Sequence, residues 1–261
     1  MILALVSKKG GVGKTTTAVN LAAALVAQGS RVLLMDLDSQ ASASLSLGLT
    51  HGDLAPSAAD VMFYDTPIDE AIRSTSTERL DLISASVDLQ SAERHLSALR
   101  HPQRWLERLL EPIEVDYDYI VLDCPPSLSL LAANALAACH GFLIPVVPQY
   151  LAVAGVDSLI RFAERLRVQE GHRRRSRFLG LVPTMVDYRN RLTRTMLRRL
   201  RSSYDGAVFR TEIRVNVRLA EAPALGQTIF QYDSGATGAQ AYRRLARETV
   251  RRAAEMVASR G

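Results

Sequence analysis

Lysine is almost missing from this chain: of 32 basic residues, 29 are arginine, and Lys8, Lys9 and Lys14 fall within seven residues. Lysine is a compact point charge on a flexible stem, whereas arginine is a wide planar fork. The segment 8–14 therefore has a use for the former that the rest of the chain does not. Cysteine is as scarce. Cys124 and Cys139 alone make no disulfide framework, which excludes the stapled secreted mini-domains and points to a reducing, cytoplasmic setting. No apolar run approaches the ~18 residues of a spanning helix. Residues 1–6 are apolar, but the lysines follow that run instead of preceding it, so a signal peptide is not expected. Internal repeats, low-complexity tracts and linkers are absent too. With 48% hydrophobic and 23% charged residues, the 261-residue chain is expected to form one domain over 1–261 with ample core.

What charge there is divides unevenly. Residues 1–150 carry ten basic against seventeen acidic side chains, and residues 151–261 carry 22 against ten. A basic half on an otherwise acidic protein fits a polyanionic partner, nucleic acid or an acidic membrane surface, and equally fits a solvated arginine-rich face.

Five short runs are apolar nearly throughout: 2–6, 32–35, 119–122, 142–147 and 178–182. Runs of this length without alternation suit strands buried on both faces of a parallel sheet. Helical patterns lie between and after them, at 15–27, 128–138, 156–168, 192–200 and 239–257, with Gly29 closing the first. Strand then helix, repeated, predicts a doubly wound α/β fold, its mostly parallel sheet covered by helices on both faces. Each run ends in a polar or glycine-rich cluster, at 8–16, 36–38, 123–126, 148–149 and 183–187. In such sheets the carboxyl ends of the strands form the ligand crevice.

The first cluster carries Gly10, Gly11, Val12, Gly13, Lys14, Thr15 and Thr16 between a strand and a helix. Glycines let the backbone curl round an anion with its N–H groups inward, and the helix N-terminus adds a positive dipole. Lys14 is placed to reach the β- and γ-phosphates and the Thr15 hydroxyl to ligate Mg²⁺. A dinucleotide fingerprint fails, because Thr16 occupies the place of its third glycine. Where the usual phosphate loop has its first glycine stands Lys8.

With Lys9 ahead of Gly10, the loop resembles the deviant phosphate loop (deviant Walker A) of the ParA/MinD branch of P-loop ATPases. Asp36-Leu37-Asp38, Asp123-Cys124-Pro125-Pro126-Ser127, 134–136, 184–187, 216–223, Tyr232-Asp233, Gly238-Ala239 and Tyr242 resemble further motifs, and narrow the likeness to the chromosomal ParA (Soj-like) subgroup. The resemblance implies an ATP- and Mg²⁺-dependent ATPase. Lys9 would cross a homodimer interface to the partner's phosphates, adding a second cation as the γ-phosphate leaves. Asp38 would position the attacking water. Thr15, Asp36, Asp38 and Asp123 are the candidate Mg²⁺ residues, the carboxylates acting mainly through water, and Met185, Asp187 and Asn216 the candidate adenine contacts. A turn role for Asp187 fits its position equally well.

The same resemblance implies non-specific DNA binding by an ATP-bound dimer riding on the nucleoid, with Arg189 and Arg218 as motif positions. Between 161 and 201 stand thirteen arginines against Glu164, Glu170 and Asp187. In the helix 191–201, Leu192, Met196, Leu197 and Leu200 predict the apolar face and Arg191, Arg194, Arg198 and Arg201 a stripe that can track a phosphate backbone. No aromatic residue interleaves the stripe 191–201, which disfavours single-strand stacking. The C-terminal helix lacks a bulky apolar face, so a docked helix is expected and stable membrane insertion is not. Only seven residues precede Lys8, so no N-terminal operator-binding extension is expected. The cysteines lack the glycine-rich ligand loops of the related nitrogenase iron protein and read as buried thiols.

The pattern is departed from at Ser39, Ala41 and Ser42, at Gln149 and Ala154, and at Arg214-Val215. These positions bear on which partner stimulates the ATPase, a ParB-type centromere protein being the first expectation. The alternatives are a MinD-like membrane-associated regulator and, in another class, a P-loop metabolic enzyme such as a carboxylate ligase.

Overall fold

The computed structural model describes residues 1–169 and 176–258. Seven strands form one sheet: β1 (Ile2–Leu5), β2 (Val32–Asp36), β3 (Ile72–Ser74), β4 (Leu80–Ile83), β5 (Tyr119–Asp123), β6 (Gly141–Val146) and β7 (Arg177–Pro183). Their spatial order is β3-β4-β2-β5-β1-β6-β7. All pairings are parallel except that of the short edge strand β3 with β4. Successive residues of a strand point to opposite faces, and here they feed two separate cores. Ile2, Ala4, Leu33, Met35, Ile120 and Leu122 pack on one side, Leu3, Leu5, Val32, Leu34 and Val121 on the other.

The five expected runs are strands. β3 and β4 escaped notice because one has three residues and the other is interrupted by Asp81. Asp81 is buried at 8% exposure, where Tyr117 Oη (2.9 Å) and Ser74 Oγ (3.2 Å) donate to it. A charge so satisfied is tolerated in a sheet, but it breaks the apolar signal.

The longer helices are α1 (Lys14–Val26), α2 (Leu130–Ala138), α3 (Tyr150–Gln169), α4 (Arg191–Ser203) and α5 (Thr237–Ala258). The C-terminal α5 lies against α1, burying Ala239, Tyr242, Leu245, Ala246 and Met256, as expected of a docked helix. In α4 the expected face needs one correction. Leu192 is 53% exposed and Thr193 takes the buried place beside Met196, Leu197 and Leu200. Asn190 caps this helix, its side chain accepting from Leu192 N–H, which turns position 192 outward at the first turn. Cys124 and Cys139 are both buried and not disulfide-bonded.

Arg252 of α5 fastens the far end of the fold. Its guanidinium donates to the carbonyls of Leu179 (2.9 Å), Gly206 (3.1 Å) and Val208 (3.0 Å), and pairs with Glu248 at 3.1 Å. Glu248 in turn accepts from Arg210 and Thr211 N–H. Removing one member leaves several groups without partners. Arg252→Met is expected to destabilise the fold by about 3 kcal/mol in urea titration, with the same denaturant slope as the parent.

Candidate nucleotide site

Register brings the acidic residues together. β2 and β5 pair with Asp36 opposite Asp123, and β1 pairs with β5 with Leu5 opposite Asp123. Two carboxylates on neighbouring strand ends thus lie side by side, with Asp123 next to the strand that enters the glycine loop. Asp36 is fully buried and accepts from Ser44 N–H (2.9 Å), Ser44 Oγ (2.8 Å) and Asp38 N–H (3.1 Å). Burial, with the charge of Asp123 beside it, pushes its carboxyl up to about 7. Asp38 Oδ1 accepts from Gln40 N–H at 3.1 Å, and Asp38 Oδ2 lies 3.8 Å from Lys14 Nζ.

Lys14 is the hub. Its Nζ lies 2.7 Å from Asp123 Oδ1 within a site where both side chains are almost wholly shielded from water. Burial disfavours the ammonium, but Asp123 outweighs that and holds it above the usual lysine range. Burial pushes the Asp123 carboxyl up, with Lys14 pulling against it. Asp123 Oδ2 is buried and makes no hydrogen bond of good geometry among the described residues. An orphaned carboxylate oxygen beside Thr15 fits a hydrated divalent cation. Among the described residues no group of three or more His, Cys, Asp or Glu side chains is arranged to hold an ion by itself.

The loop is shaped to admit an anion. Gly11 and Gly13 adopt φ of 71° and 77°, the left-handed region, and a Cβ built at Gly10 or Gly11 would meet nothing within 4 Å. That open space lies over the N-terminus of α1. Behind it the loop is braced: Thr184 Oγ1 donates to Val12 O (2.8 Å), Thr17 Oγ1 to Gly13 O (2.6 Å), and Tyr242 Oη lies 3.4 Å from Thr17 Oγ1. Lys9 is exposed at the rim and forms no ion pair among the described residues, in contrast to Lys14.

Beside the loop, Thr16, Met185, Ile213, Asn216, Leu219 and Tyr242 line a mostly apolar cavity of about 270 Å³. Two of the expected adenine contacts, Met185 and Asn216, are on its wall. Asp187 lies outside that lining. Its carboxylate accepts from the backbone N–H of Arg189 (3.0 Å) and takes the Arg189 guanidinium at 2.9 Å, a turn closed on itself. Asn216 caps the short helix Val217–Glu221 and donates to Thr237 Oγ1 at 2.7 Å.

Several residues went unread in the sequence. Ser44 ties Asp36 to β4, since its Oγ also accepts from Ala85 N–H at 3.1 Å. Thr184 and Thr17 brace the loop, and only their place at a strand end and a helix start could have flagged them. Ala41, one of the departures from the pattern, sits at φ 51°, a conformation costing an alanine about 1–2 kcal/mol. The side chain of Ala154, and Arg173, Arg174 and Arg175, lie outside the described residues.

The two motif arginines among the expected DNA contacts are already partnered. Arg189 pairs with Asp187, and Arg218 pairs with Glu221 at 3.0 Å and lies over the Tyr232 ring. Arg191, Arg194 and Arg198 are exposed on α4 with no carboxylate partner among the described residues, whereas Arg201 pairs with Glu212 at 2.7 Å.

The sequence comparisons agree with this geometry. A family model described as an AAA domain matches residues 1–175. The sporulation initiation inhibitor protein Soj of Bacillus subtilis is 39% identical over 248 residues, covering 95% of this chain and 97% of that one. The chain belongs to the ParA/Soj family of partition ATPases. Its likeness to the chromosome-partitioning ATPase Soj of Thermus thermophilus is 41% identity, covering 97% and 96% of the two chains. Among solved structures, cobyrinic acid a,c-diamide synthase from Mycobacterium smegmatis with bound ATP analogue and magnesium superposes with a TM-score of 0.82. It is 33% identical and covers 96% of this chain and 94% of that one. The seven-stranded, mostly parallel sheet is that of the ParA-like P-loop ATPases.

Proposed function

We propose that this ParA/Soj-type ATP hydrolase is a switch: it dimerises with ATP, binds duplex DNA without sequence preference, and positions a cargo through a ParB-type partner that stimulates hydrolysis. ATP with Mg²⁺ is its cofactor. The observation that carries the reading is the division of labour between two lysines. Lys14 is buried among Asp38 and Asp123, while Lys9, five residues earlier, is exposed at the mouth of the same loop and forms no ion pair among the described residues. A cation held out from its own site is suited to a site on a second copy.

In this reading the loop amides of Gly10, Gly11, Val12 and Gly13 hold the phosphates, with Lys14 turning from Asp123 towards them. Thr16, Met185 and Asn216 receive the base. Thr15 and Asp123 Oδ2 hold the cation, with Asp36 as a buried brace behind them. When bound, Mg²⁺ offsets charge on the β- and γ-phosphates. Asp38, fixed by Gln40 N–H, orients the attacking water. Size-exclusion chromatography is the direct test: a dimer with ATP and a monomer with ADP are expected, and one elution volume throughout would overturn the switch.

DNA binding in this scheme depends on the two-fold dimer, which aligns two copies of α4 and so doubles the neutralised phosphates. Since Arg189 and Arg218 each hold a carboxylate, the free charges at Arg191, Arg194 and Arg198 carry more of the backbone contact. Arg194→Ala is expected to flatten the log–log salt dependence of binding by about one or two units per dimer, with ATP turnover in the absence of DNA unchanged. Equal affinity for unrelated duplexes checks the lack of sequence preference.

Two rivals remain defined by their tests. No described helix is long and apolar enough to cross a membrane, and α5 buries its apolar face, so a MinD-like regulator would need another membrane contact; recovery on anionic vesicles in place of DNA would support it. The structural likeness to a protein named as a diamide synthase favours a carboxylate ligase as the other rival. ATP turnover with only protein and DNA present argues against that; turnover that waits on a small carboxylate argues for it.

A further inference from the structure

A second basic site lies behind the base cavity. Between the β7–α4 connection, the segment 210–214 and the start of α5, a cleft of about 580 Å³ is lined by Tyr188, Arg201, Arg210, Glu212, Arg214 and Arg244, among others. Its single carboxylate is already taken. Glu212 pairs with Arg201 at 2.7 Å and accepts from Tyr188 Oη at 2.6 Å. Arg210, Arg214 and Arg244 are exposed and have no carboxylate partner among the described residues; Arg214 rests on the Tyr188 ring at 4.9 Å. Three uncompensated guanidinium groups around one concavity repel each other, and a compact anion with several charges would relieve that repulsion.

The concave shape decides what kind of anion. The volume is within the range of roughly 300–1,000 Å³ usual for small-ligand clefts. A duplex is a thick rod and contacts ridges such as α4, whereas a short chain of phosphates can enter between opposing walls and meet planar forks on several sides. Tyr188 is held by Glu212, whose hydrogen bond pushes the phenol above its usual range, so the hydroxyl stays protonated and its ring supports Arg214. The cleft also shares a wall with the candidate nucleotide cavity: Arg214 lines both, and Thr237, on the cleft side, receives Asn216 Nδ2 from the cavity side.

We infer that Arg210, Arg214 and Arg244 form a binding site for a compact polyphosphate anion, distinct from the phosphate loop and back to back with the base cavity. Inorganic tripolyphosphate without divalent cations is the probe. The loop itself is a competing phosphate site, so the background is the full-length Lys14→Ala protein, read by isothermal titration and by ³¹P NMR. One site is expected to remain there. Adding Arg210→Gln and Arg244→Gln, which keep the side-chain stems, is expected to weaken it at least about tenfold. Arg199→Gln with Arg247→Gln, which remove the same charge from exposed positions outside the cleft, should leave it within about twofold. Equal weakening by both pairs would reduce the site to general surface charge and overturn the inference. Loss of all tripolyphosphate binding in the Lys14→Ala background would overturn it too, while leaving the nucleotide reading intact. Binding of duplex DNA but not tripolyphosphate that depends on Arg210 and Arg244 would assign the cleft to the DNA path instead.

Discussion

Lys14→Ala is expected to abolish nucleotide binding, raising the dissociation constant by at least two to three orders of magnitude, about 3–4 kcal/mol. The loss has two parts. The phosphates forfeit a charge-assisted contact. Asp123, 2.7 Å from the missing ammonium, and Asp38, 3.8 Å from it, become an uncompensated negative wall facing a triphosphate, which the loop amides cannot offset alone. Arginine should not restore binding, because a planar fork does not fit where a point charge is enclosed almost wholly by protein. Lys9→Ala makes the contrast. Its side chain is exposed and forms no ion pair among the described residues, so nucleotide affinity of the monomer should stay within a few-fold while dimerisation and turnover are lost. A fluorescent ATP analogue titrated into both variants reads the difference, and equal loss in the two would sink the cross-dimer role of Lys9.

Asp38→Ala is expected to slow hydrolysis by roughly 10²–10⁴-fold, the usual contribution of a positioned acid–base group, while ATP stays bound. The structure makes this a clean substitution. The hydrogen bond that Asp38 gives Asp36 comes from its backbone N–H, so alanine preserves it and the Ser44 brace behind it. Only the carboxylate, and its hold on Gln40 N–H, goes. Single-turnover measurements with radiolabelled ATP would separate this from a binding defect: a stable ATP complex that elutes as a dimer is the expected result. Parent-like turnover would mean that another carboxylate acts on the water, and Asp123 would be the next to test.

The parts of the fold legible in the sequence were those governed by short-range pattern. β1, β2, β5, β6 and β7 are double-faced buried strands and read as unbroken apolar runs, and the glycine-rich loop announced itself by spacing. What escaped depends on partners far away in the chain. β4 carries Asp81, whose burial is acceptable only because Tyr117, 36 residues on, donates to it. Ser44 became visible as the brace of Asp36 only once β2 and β4 lay side by side. Asp187 fits a base contact or a turn equally well by position, and the turn contacts depend on Arg189 two residues on. Leu192 followed the apolar period of α4, yet a cap at Asn190 starts the helix where that residue points to water. Periodicity gives faces; capping and pairing give where each face begins.

One consequence of the strand order belongs to the ribosome. β1 is made before the other six strands, yet in the finished sheet it lies between β5 and β6, whose residues start at 119 and 141. Each of its backbone ladders therefore waits for well over a hundred further residues, roughly 6–25 seconds at usual elongation rates. Throughout that interval an apolar strand with both edges open trails outside the exit tunnel, a template for pairing with neighbours on the same polysome. Rare codons placed before residue 141 would lengthen the exposure, and slowing translation there should raise the insoluble fraction, whereas slowing it after β6 should not.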